Sequence, residues 1–130
     1  MSQRNLQVVA QHIENEARDP ESVLSLYTDD AVIEFPARDL RFASKPAITE
    51  NYRRMFGALE DIELEPLDRF ATQERVVDDM IVRFRLAGEG MDNAPVPVGS
   101  RVRLRLVHVF HMRDGLIERE IVHENWAVEE

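Results

Sequence analysis

Asp114-Gly115 separates two long runs of sheet character, RVRLRLVHVFHMR at 101–113 and LIEREIVHENWAV at 116–128. A two-residue turn of the primed type needs positive φ at both positions, and Asp-Gly is among the few pairs that accept this at little cost. The dipeptide therefore predicts a hairpin in which Arg113 faces Leu116, and the register of every later pair follows from it. On one face that register stacks Met112 with Ile117, Phe110 with Arg119, His108 with Ile121, Leu106 with His123 and Leu104 with Asn125. On the other it sets His111 against Glu118, Val109 against Glu120, Arg105 against Glu124 and Arg103 against Trp126. Opposite charges and a guanidinium over an indole each favour this arrangement by up to roughly 1 kcal/mol.

The first face is then the inner one, apolar except for His108, Arg119, His123 and Asn125. A polar group on such a face costs on the order of 1 to 3 kcal/mol unless it is bonded. Each could find a backbone carbonyl or a buried water in a packed core. Their grouping points instead to a shared cavity: His108 and His123 would lie diagonally across the hairpin, roughly 7 to 8 Å apart, with Asn125 beyond. His108 and His111 face opposite ways, so no metal site is expected from them. On the preceding strand Asp78 shares its face with Met80, Val82, Phe84 and Leu86. It is read either as a carboxylate at the cavity mouth or as a solvated turn acid.

Upstream, Leu6, Val9 and Ile13 space one stripe of a helix from Leu6 to Ala17. Asp19-Pro20 supplies an N-cap and a first-turn proline for a short helix through Tyr27, and Thr28, Asp29 and Asp30 break it. Ala31 to Phe35, stopped by Pro36, suits an edge strand or a pocket lip. Ser44 and Pro46 open a third helix with inner stripe Ile48, Tyr52, Met55, Phe56 and Leu59, and Gly57 is expected in a left-handed cap. Strand-like runs follow at about 62–72, 76–87, 98–112 and 116–128. Helices first and then successive strands predict an α+β fold in which a curved antiparallel sheet wraps around the N-terminal helices.

A length of 130 residues with 44% hydrophobic content suits a single domain spanning 1–130. The absence of cysteine removes disulfides and thiolate metal sites. A net charge of −9 argues against nucleic acid as partner. No apolar run approaches the ~20 residues of a membrane span, and MSQRNLQ is too polar for a secretory signal. A cytoplasmic location and no membrane partner are expected.

The order of elements, with LYTDDAVIEFPA, KPAITENYRRMF, HVFHMRDGLIEREIV and HENW, resembles the SnoaL-like branch of the cystatin-like superfamily. That superfamily also holds the nuclear transport factor and the ketosteroid isomerases. The resemblance runs from about Leu6 to Trp126. It implies a cone-shaped sheet, an apolar pocket between sheet and helices, and frequently a homodimer through the outer sheet face. It spans isomerases, cyclases, hydratases, epoxide hydrolases and binders, so it implies a scaffold more than a reaction. Where a ketosteroid isomerase carries its proton-shuttling aspartate, this chain has Phe35. The acid that holds the enolate oxygen falls on His108, and the first-helix tyrosine donor falls near His12. The cyclase aspartate of the last strand falls on Asn125, and an amide cannot exchange a proton at neutral pH.

Two functions are expected from these residues. One is a proton-transfer enzyme acting on a small, mostly apolar carbonyl compound, with His108 or His123 as acid-base and Asn125 as donor. His12, Glu34 or Phe35, Asp78 and Arg119 would complete the binding site, with Phe56, Phe84 and Phe110 as aromatic walls. The other is a noncatalytic module whose pocket holds a metabolite and whose outer sheet, bearing Val107, Val109, Val122 and Trp126, dimerises. Neither calls for a cofactor. An epoxide hydrolase wants acids flanking an inward arginine, and the predicted register leaves Arg119 without such a neighbour.

Overall fold

The computed structural model describes residues 2–15 and 19–129. Helix α1 (Ser2–Asn15) buries Val8, Val9, His12 and Ile13 on one face; the predicted end at Ala17 lies outside the described residues. A 3-10 helix (Pro20–Leu26) ends before Thr28, as expected, but leads straight into β1 (Tyr27–Phe35), so the strand starts ahead of Ala31. Asp19 precedes that helix without a side-chain capping bond. After a 3-10 turn (Pro36–Arg38) and β2 (Leu40–Phe42) comes α2 (Lys45–Gly57), capped as predicted by Ser44, whose Oγ accepts from the Ala47 amide at 3.2 Å. Gly57 is not left-handed; Ala58 caps the helix in the right-handed region.

Strands β3 (Leu59–Ala71), β4 (Arg75–Leu86), β5 (Arg101–Arg113) and β6 (Leu116–Glu129) follow. The sheet has six strands in the order β2-β1-β6-β5-β4-β3. Its pairs are antiparallel except β1 with β6, which run parallel. β2 pairs with β1, so β1 is an interior strand and the pocket-lip reading alone survives for Phe35. The sheet curves over α1 and α2, and Val9, Ile33, Ile48, Val76, Phe110 and Ile117 form fully buried points of the core between them. No described helix is long and apolar enough to cross a membrane.

The predicted turn is present, with φ of 53° at Asp114 and 77° at Gly115. Arg113 faces Leu116 and Met112 faces Ile117. There the predicted register ends: His111 faces Arg119, so β6 carries one extra residue, Glu118, in a bulge. Because side chains alternate with period two, one extra residue exchanges the two faces of all that follows. Glu120, Val122, Glu124 and Trp126 turn inward, while Arg119, His123 and Asn125 turn outward. Ile117, before the bulge, is fully buried; beyond it Arg119, His123 and Asn125 leave the inner face and Glu120 and Glu124 enter it. Arg113 holds the bulged residue, donating to Glu118 at 3.2 Å and to Asp30 at 2.6 Å.

The predicted outer partnerships dissolve with the register. Arg105 makes a two-point bond to Asp79 on β4, at 2.9 and 2.7 Å. Glu124 is claimed from inside by Arg38, at 3.0 Å. Trp126 packs edge-on against Phe84, with centroids 6.1 Å apart, and not under Arg103.

Candidate functional site

The curve of the sheet leaves a cavity of about 80 Å³ between α2 and strands β3 to β6. Most of its wall is apolar, and its polar lining is Tyr52, His108, Glu120 and Glu124. The inward turn of β6 after the bulge places Glu120 opposite Phe110, beside His108 on the next strand. Its side chain is only 1% exposed. Burying a carboxylate there is tolerable only with dedicated partners. Tyr27 and Tyr52, the only tyrosines of the chain, both donate to Glu120 Oε1 at 3.1 Å. His12 Nε2 lies 3.4 Å from the same oxygen. Burial alone would push the Glu120 carboxyl up, but its net shift is downward because His12, His108 and Tyr52 favour the anion.

A second buried carboxylate sits on the far side of His108. Asp78 Oδ2 is 3.4 Å from His108 Nδ1, and its Oδ1 accepts from Arg69 Nε at 2.7 Å. Burial raises the Asp78 carboxyl, yet the nearby His108 ring and the bond from Arg69 bring it below its ordinary value. His108 Nε2 points the other way, 4.0 Å from Glu120 Oε2. The imidazole is thus flanked by a carboxylate at each nitrogen, and it stacks on Phe110 with centroids 5.7 Å apart. If Asp78 accepts the Nδ1 proton, the lone pair on Nε2 is turned toward Glu120 and the cavity.

Of the residues singled out from sequence, His108, Phe35, Phe56 and Phe84 line the cavity. His12, Asp78 and Phe110 stand behind it as partners of Glu120 and His108. Asp78 is 2% exposed, which corrects the solvated-turn alternative. His123 and Asn125 are exposed on the opposite face of the sheet, opposite Val107 and Arg105, so the structure does not bring them to the cavity. Arg119 and Glu34 also lie outside, bonded to each other at 2.8 Å in a polar depression with Arg41, Arg75 and His111. The inner-face arginine beside an acid is Arg69, not Arg119.

Tyr27, Tyr52, Glu120, Arg69 and the Arg38–Glu124 pair escape the sequence reading. The two tyrosines carried a usable signal, since a buried phenol needs a partner for its hydroxyl. Arg38 and Glu124 form an ion pair with side chains 1% and 2% exposed, and Arg38 also donates to the Asp92 carbonyl at 2.9 Å. This ties the loop 87–100, whose Met91 reaches the cavity wall, to the 3-10 turn before β2. Among the described residues, no group of three or more His, Asp and Glu side chains is arranged to hold a metal ion.

The SnoaL-like domain model matches residues 9–120. The chain belongs to the SnoaL-like family. No curated protein matches it by sequence. Solved SnoaL-like and related structures superpose closely at low identity. A protein of Jannaschia Sp. CCS1, assigned as a SnoaL-like polyketide cyclase, gives a TM-score of 0.83 at 15% identity over 96% of this chain and 88% of its own. The epoxide hydrolase/cyclase-like enzyme SalBIII, of pyran ring formation in the polyether salinomycin, gives 0.75 at 21% identity over 98% and 97%. An LEH-like epoxide hydrolase of M. tuberculosis gives 0.71 at 17% identity over 95% and 84%. At these identities the likeness is one of fold, and the SnoaL-like scaffold is one that isomerase-like and cyclase-like proteins share.

Proposed function

We propose that this SnoaL-like protein binds a small, mostly apolar carbonyl compound and moves a proton on it, with His108 as the acid-base group. The observation that carries this reading is the imidazole held between Asp78 and Glu120 at the polar end of an otherwise apolar cavity. His108 Nε2 would take the proton from the carbon next to the carbonyl, and the electron pair would move to the carbonyl oxygen. The imidazolium so formed is stabilised by the carboxylates on either side, as in other oriented histidine bases. Tyr52, the hydroxyl of the lining, would turn its one O–H from Glu120 Oε1 to the enolate oxygen. The proton then returns to the same or a neighbouring carbon, which is exchange or isomerisation. The fold kinship with isomerase-like and cyclase-like proteins supports the same class.

The test needs no knowledge of the natural substrate. A panel of ketones and lactones in D2O, followed by NMR, should show enzyme-dependent exchange at the α carbon. His108→Ala should lower the rate by at least about tenfold. Equal exchange by His108→Ala and the wild type would end the proposal.

One observation favours a noncatalytic binder instead: Glu120 Oε1 is already engaged by both tyrosines and His12, as in a purely structural network. Tight binding of a ketone without exchange would select that reading. A homodimer through the outer sheet face, where Val107, Val109 and Ile121 remain partly exposed, is a further part of the proposal. Sedimentation at micromolar concentration should show a dimer.

A further inference from the structure

We infer that the ligand is chain-like: its oxygenated end enters the cavity and an unbranched alkyl or acyl tail lies outside, along Ile62 and Leu64 of β3. The inference rests on the proposed reading of His108 and Glu120 as the polar end. The cavity, about 80 Å³ with its mouth included, is small. An apolar cavity of about 150 Å³ is what holds a single benzene. A fused-ring ligand therefore does not fit inside, and most of any larger molecule must leave through the mouth.

The mouth has a direction. Ile62 and Leu64 belong to the cavity lining and yet are 38% and 51% exposed, so the cavity opens over them. On β3 the outward residues Glu63 and Glu65 face Arg83 and Ile81, and Arg83 donates to Glu65 at 2.9 Å. The strand thus keeps an apolar inner face at the end where Ile62 and Leu64 stay exposed. At the other end α1 does cover the hairpin, with Asn5 donating to the carbonyls of Thr72 and Gln73 at 3.3 and 2.9 Å. The same lining includes Met55 and Phe56 of α2 and Leu59 at the start of β3. The resulting strip of Ile62, Leu64, Met55 and Phe56 is apolar and continuous with the cavity. Flexible methionine at 55, and at 80 and 91 deeper in, suits a flexible chain.

Titration with 2-alkanones of increasing length, read by fluorescence of the single tryptophan, tests this. Trp126 packs on Phe84 of the cavity wall, so it senses occupancy. Affinity should rise about threefold to fourfold per methylene, the value for transfer of one CH2 out of water, and level off once the strip is covered. Leu64→Lys, at a position already exposed, should flatten that rise, with a loss that grows with chain length. His108→Ala should weaken every member alike. Equal affinity across the series, or an unchanged slope in Leu64→Lys, overturns the tail site while leaving the cavity reading intact. Failure of every ketone to bind sinks both. A dimer that Leu64→Lys splits into monomers would show the strip to be covered by a second copy, and that also overturns the inference.

Discussion

His108 Nδ1 lies 3.4 Å from Asp78 Oδ2, so a carboxylate on β4 stands against the nitrogen of the β5 imidazole that is turned away from Glu120. Arg69 on β3 fixes that carboxylate in turn, at 2.7 Å. Three neighbouring strands thereby meet at one ring.

Asp78→Asn should keep the fold and disturb the ring. An amide in that place can present either a donor or an acceptor to Nδ1, and the wrong choice turns a protonated Nε2 toward the cavity. Proton exchange on a ketone should fall by at least about tenfold with little change in affinity. ¹⁵N NMR of the imidazole should report a changed tautomer. Exchange at the wild-type rate would mean that Asp78 does not position His108.

Stability should fall in acid through Glu120 and Asp78. Both carboxyls are held below their ordinary values of 4.5 and 3.8. The unfolded chain therefore binds protons first as the pH drops, so stability rises with pH in that window. The contribution is fully present above about 4.5 and is lost as the pH falls below it, through the folded values. Urea unfolding at pH 7, 5 and 3.5 should show the loss between the last two, and Glu120→Gln should flatten it. A Glu120→Gln profile as steep as that of the wild type would count against the ion pair with His12.

The Arg38–Glu124 pair should behave as a buried salt bridge. Removing either partner strands the other charge, which costs about 3 to 5 kcal/mol. Replacing both by leucine should recover much of this. A thermodynamic cycle by denaturant unfolding gives the coupling, and additive single losses would show the two side chains to be independent. Because Arg38 also binds the Asp92 carbonyl, Arg38→Leu should also increase amide exchange in loop 87–100.

The β6 register can be read chemically, since the chain has no cysteine of its own. Val107 and His123 are direct partners across the outer face. Cysteines placed at 107 and 123 should form a disulfide readily, because opposite residues approach within the required Cα separation. Cysteines at 106 and 123 point to opposite faces and should stay reduced under the same oxidant.

Much of this molecule was written locally. Ser44 and Pro46 start α2, Asp114-Gly115 makes its turn, and the alternation of Asp78, Met80, Val82 and Phe84 shows which side of β4 is buried. Such features depend on one to several neighbouring residues, so the α+β class, the approximate positions of β3 to β6 and the inward face of His108 follow from the sequence alone, whereas β2 and the early start of β1 do not.

What the sequence did not disclose lies beyond a single residue, Glu118. A bulge costs little and has no compositional mark, but side-chain direction is a parity, so one inserted residue sends His123 and Asn125 to the surface and Glu120 to the core. Whether that carboxylate could be buried depended on His12, Tyr27 and Tyr52 arriving from three separate elements. Only the assembled tertiary structure brings such distant partners together, and so only it decided where the polar end of the cavity lies.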